Sequence, residues 1–186
     1  MVSALLDPAT PDVVRRRLPP ALRSCPSPIA RDGLLAGLSL PAFEVRLRCG
    51  RALLAQTDEH AGLIVPFPGA LSAAAAELQG EAEPRLLREH VFNLLALAFE
   101  REPVRIASRA FDAEDAYVRG TALEYLETIL PPAVFSSLRL RLAAPAAPAP
   151  PQVPRPSSEV RAELLRAGAT MTVSLEELRR QLDAAA

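Results

Sequence analysis

The chain has 186 residues, 49% hydrophobic and 23% charged, with a formal net charge of -1, enough length for one domain with a sizeable core plus an appendage. The near-neutral balance gives no general attraction to nucleic acid, and the absence of lysine excludes a P-loop lysine, a Schiff-base lysine and a lysine general base. Apolar runs are broken by charge before a membrane-spanning length, and MVSALLDPATPDVVRRR lacks a basic region followed by an apolar core. The expectation is a cytoplasmic chain with no leader and no direct membrane insertion.

Along the chain the punctuation is helical, and no segment alternates with period two long enough to argue for a sheet. Thr10-Pro11 and Ser27-Pro28 each read as an N-cap followed by proline at the first helical position. Pro84 and Pro103 open further helices with weaker caps. The reading is all-α, with helices near 11–24, 28–39, 41–56, 84–100, 102–112 and 115–130. Between Pro66 and Glu83 the Ala-rich GALSAAAAELQGE has helix propensity but is bounded by Pro66, Pro68 and Gly80, so short helix and loop both stay open. Residues 143–158 form a Pro/Ala-rich linker. It separates a helical domain, 1–142, from a tail, 159–186. The tail holds a short amphipathic helix ending at Gly168 and a second one, SLEELRRQL, with Ser174 and Glu177 in a capping box.

Little in the chain carries chemistry. Cys25 and Cys49 are isolated; a disulfide is compatible with the sequence, while their apolar surroundings favour small buried hydrophobes. Glu124 and Glu127 lie three apart, as metal or acid–base carboxylates can, but no ExxH accompanies them, so they read as a solvated face. His90 has no cysteine or second histidine near it and reads as a surface or packing residue, and His60 sits at a helix end, where it complements the macrodipole. No nucleophile elbow, zincin or dinucleotide fingerprint occurs. The expectation is therefore no enzyme, no catalytic or metal residue and no cofactor.

Three stretches look alike: DVVRRRLPPAL, FEVRLRCGRALLAQ and YVRGTALEYLETIL share Val-Arg followed by small and apolar residues. Val14 to Val45 is 31 residues and Val45 to Val118 is 73, one and about two periods of a helix-pair repeat. In the third, Val118, Ala122, Tyr125, Leu126, Ile129 and Leu130 line one stripe, and Pro131-Pro132 ends the helix. With Asp115-Ala116-Tyr117-Val118-Arg119 in the Asp-x-x-Val-Arg spacing, the chain resembles the HEAT-repeat family over about Leu5 to Leu142. More narrowly, REHVFNLLAL, the 102–132 segment and SLEELRRQL are similar to the soluble HEAT-like tail of bacterial nucleotide-transporter-like proteins. The resemblance implies a short α-solenoid of helix pairs with a C-terminal helical tail.

It further implies a non-catalytic protein-binding scaffold or adaptor. Alternatives are an accessory enzyme subunit of the bilin-lyase-like HEAT kind and a regulatory partner of a membrane transporter. Arg15, Arg46 and Arg119, with Asp115, occupy the repeat position in which such proteins build an internal ladder. The expected partner is a protein. Val13, Val14 and Leu18 lie at an end with no evident preceding helix to cover them, which makes contact with Met1–Leu6, a homo-oligomer or a partner the expectation there. Leu175, Leu178 and Leu182 offer a second apolar stripe on the tail.

Overall fold

A computed structural model describes residues 1–60, 65, 67–111, 115–142 and 155–168, and all regular structure among them is helical. The elements are α1 (Val2–Leu6), α2 (Asp12–Arg15), α3 (Leu18–Arg23), α4 (Pro28–Gly37), α5 (Phe43–Glu59), α6 (Phe67–Glu77), α7 (Pro84–Ala98), α8 (Arg101–Ala110), α9 (Ala116–Ile129) and α10 (Pro132–Leu142). Residues 157–168 form an eleventh helix, α11. No described helix is long and apolar enough to cross a membrane.

Local chemistry accounts for most boundaries. Ser27 Oγ accepts the Ala30 N–H at 3.1 Å, with Pro28 in the first turn of α4. The Glu83 carboxylate accepts from Arg85 and Leu86 at 3.0 and 2.9 Å to start α7, and Asp115 accepts from Tyr117 at 2.8 Å to start α9. The Ala-rich segment left open above is the helix α6.

Prolines explain the departures from expectation. The single helix expected over 11–24 is two pieces, α2 and α3. Pro19 and Pro20 have no N–H for the Arg15 and Arg16 carbonyls, so a continuous helix would break there; in α3 they fall in the first turn, where no such bond is needed. Pro131-Pro132 ends α9 as expected, yet Pro132 also opens α10, which the sequence reading lacked. A first helix exists too: α1 packs against α4, and Leu5 is fully buried. Gly33 and Gly37, one turn apart on α4, admit it. A Cβ at Gly33 would come within 2.6 Å of the Val2 methyls, and one at Gly37 would meet Cys49 Sγ at 2.6 Å and Leu5 at 3.4 Å.

The chain divides into two units, Met1–Arg101 and Glu102–Ala186. In the first, α6 and α5 pack on α7, and α3 and α4 pack on α5, around Leu34, Leu53, Leu78, Leu87, Leu94 and Leu95. In the second, α10 packs on α9. α11 begins at 157, two residues inside the expected linker, and buries Val160, Leu164 and Gly168 at i, i+4 and i+8. Residues 143–154 of the linker, and the second tail helix with Leu175, Leu178 and Leu182, lie outside the described residues.

Candidate functional site

A buried polar cluster of the first unit forms where α5, α6 and α7 meet. Arg46 lies in the first turn of α5, and its guanidinium is bidentate on Glu77 of α6. Nε donates to Oε1 at 2.5 Å and Nη2 to Oε2 at 3.0 Å. Nη1 donates to the Leu40 and Pro41 carbonyls at 2.8 and 2.6 Å, tying the α4–α5 turn into the same knot. Glu77 is only 4% exposed. The Phe43 ring has the Arg46 guanidinium 5.6 Å from its centroid and meets His90 in a T-shaped pair, ring centroids 5.8 Å apart and planes at 79°.

His90, on α7, is fully buried, a packing residue rather than a surface one. Its Nε2 lies 3.3 Å from Glu77 Oε1 at ion-pair distance but outside hydrogen-bond geometry, and Nδ1 has no hydrogen-bond partner. Gly50 makes room for the ring, since a Cβ there would sit 2.8 Å from Cε1. Burial pushes the Glu77 carboxyl up, but His90 and Arg46 outweigh it and hold it below the ordinary glutamate value. The cluster can hold a buried carboxylate in place. With the His and Glu enclosed and a guanidinium already on the carboxylate, it offers a substrate or cation no open ligand position.

The other candidate groups lie apart from this cluster. Cys25 and Cys49 are both free thiols, which removes the disulfide alternative. Burial pushes Cys49 up to about 12, so it stays a protonated thiol at neutral pH. Gln56 is buried on α5 and donates to the Leu22 carbonyl at 2.9 Å. Among the described residues no three His, Cys, Asp or Glu are grouped so as to hold a metal.

Of the residues expected to form a ladder, Arg15 is buried and donates to the Asp7 carbonyl at 2.9 Å, with Asp12 at 3.3 Å. Arg15 and Arg46 therefore both reach carbonyls between helices. Arg119 is half-buried on α9, and Asp115 serves as that helix's cap. Of the expected partner surface, Val13 and Val14 are 57% and 47% exposed, whereas Leu18 is half-buried. Ile29 and Met1 add to the exposed apolar groups of the same unit at 74% and 58%.

In the second unit, Glu127 is exposed as expected of a solvated face, but Glu124 is not free. Arg155 holds Glu124 through Nε at 2.9 Å and Nη2 at 2.6 Å, and holds Glu163 of α11 through Nη1 at 2.5 Å. Tyr117 Oη donates to Glu163 as well.

Sequence reasoning missed Glu77, Phe43, Gln56 and Arg155. The available signal was composition: Glu77 is the lone charge in an Ala-rich helix, and Arg155 the lone charge in a Pro/Ala-rich run. No protein-family model, curated protein or solved structure matches the chain.

Proposed function

We propose that the protein is a non-catalytic, protein-binding scaffold or adaptor built as a short α-solenoid of HEAT-like helix pairs. The observation that carries the binding reading is the set of bulky apolar side chains left to solvent on the N-terminal helices, Val13, Val14 and Ile29. The buried Glu77 carboxylate of the first unit, in contrast, is closed on the Arg46 guanidinium. The repeat reading is supported by α5 packing on α7, the second helices of successive pairs, while each packs on its own first helix, α4 and α6. Arg46 supports it further by bonding the preceding turn and a carboxylate 31 residues on, one repeat length away.

The test compares capture from the source cell by the wild-type chain and by Val13→Asp/Val14→Asp. Exposed substitutions of this kind change stability by only about 0.5 kcal/mol. The expected result is a melting temperature close to wild type with specific partners lost. An unchanged set of partners would remove this surface from the proposal.

A further inference from the structure

We propose that the outer side of α2 and α3 seats an acidic amphipathic helix of a partner protein, with Arg17 forked on one of its carboxylates. This rests on the scaffold reading above and names the chemistry of the partner.

The two short helices present one continuous side. Arg16 and Arg17, between them, keep right-handed helical backbone, and the Arg17 N–H donates to the Val14 carbonyl at 2.9 Å. The helical period of the side chains therefore carries across the joint. Arg15, Pro19 and Leu22 are buried at i, i+4 and i+7. On the opposite side Val13, Arg17, Pro20 and Ala21 are exposed at i, i+4, i+7 and i+8, with Val14 beside them. At 1.5 Å per residue this stripe is roughly 12 Å long, a little over two helical turns. It is apolar along its length apart from Arg17 in the middle.

The charges around the stripe select its occupant. Asp12 is paired with Arg15 at 3.3 Å, and Arg23 is paired with Glu59. Glu44 of α5 is held below its ordinary value chiefly by Arg48, with Arg16 adding to the field. Among the described residues the Arg17 guanidinium has no ion pair and no hydrogen bond. An uncompensated guanidinium set among apolar side chains is matched by a carboxylate, which it takes with two parallel donors. Apolar groups one turn to either side of that carboxylate would cover the valines and Ala21, and a helix supplies this pattern at i and i±4. An extended peptide would need a sheet edge, and all regular structure among the described residues is helical. An anionic membrane is disfavoured, because interfacial helices bring several cations and bulky apolar side chains. This stripe brings one uncompensated cation and two valines, with Asp12 61% exposed at its start.

Cys25 supplies the handle for a test, being an exposed thiol just past α3 while Cys49 is buried. The full chain is labelled at Cys25 with a benzophenone maleimide and irradiated in an extract of the source cell. Mass spectrometry should place the cross-link on an amphipathic helix with an Asp or Glu between apolar turns. That segment, made as a synthetic peptide, should bind the wild-type chain. It should lose about tenfold or more in affinity for Arg17→Glu, where like charges meet. Exchanging the peptide's carboxylate for arginine should restore binding to Arg17→Glu, which also controls for misfolding. A cross-linked segment without a carboxylate, or a peptide whose affinity ignores Arg17→Glu, overturns the acidic occupant. The scaffold reading survives that result so long as Val13→Asp/Val14→Asp abolishes the cross-link. Protein cross-linking no greater for wild type than for Val13→Asp/Val14→Asp overturns the acidic occupant together with the binding surface. Cross-links to phospholipid in place of protein overturn the proposal in favour of a membrane surface.

Discussion

Arg46 uses Nε and both terminal nitrogens, and the geometry of its fork explains why lysine would not replace it: a bidentate carboxylate and two carbonyls need a planar set of donors. Removing it leaves a nearly inaccessible carboxylate without its guanidinium, so Arg46→Ala should lower unfolding free energy by about 3 kcal/mol in urea titrations at neutral pH. The same carboxylate predicts an acid response. The folded-state value of Glu77 lies below its ordinary 4.5, so its contribution is complete above that value and is lost as pH falls through the folded one. The stability gap between wild type and Glu77→Gln should therefore be largest at neutral pH and shrink as pH falls below 4.5. Gly50 meets the His90 ring closely enough that Gly50→Ala should cost about 1–3 kcal/mol, despite alanine's better helix propensity. Cys49, with its thiol pushed up to about 12, should escape alkylation in the native protein at pH 8, where Cys25 reacts. Mass spectrometry after labelling with and without denaturant reads this directly.

Among the elements, α1 shows how a very short helix holds its place. Five residues are too few to be stable alone, and α1 has no side-chain cap. It persists because Leu5 is buried and because Gly33 and Gly37 let its side chains approach the α4 backbone. Leu5→Ala should consequently cost about 2–4 kcal/mol, a core-sized effect from a five-residue helix. The caps at Ser27, Glu83 and Asp115 tell the complementary story, since each start is set by a side chain two or three residues away. Such starts can be read from sequence. The break between α2 and α3 could also have been read from Pro19-Pro20, had the missing donors been weighed against the apolar spacing. α10 was harder, because one proline pair both ends a helix and begins the next.

At the scale of the whole molecule, helical class and most helix starts follow from the residue string alone. These features depend on caps, proline and the 3.6-residue period, all settled within a turn or two of chain. The pairing of the carboxylates does not follow from it. Glu77 and Glu124 each look like ordinary surface glutamates, yet Glu77 meets an arginine 31 residues earlier and Glu124 one 31 residues later. Which charge is enclosed depends on which helices pack, and that is decided by summed apolar burial over distant segments rather than by any local pattern. The same applies to α1 and α11, whose sequences permit a helix but whose docking requires Gly33 and Gly37 in one case and Ile106, Tyr117 and Glu124 in the other.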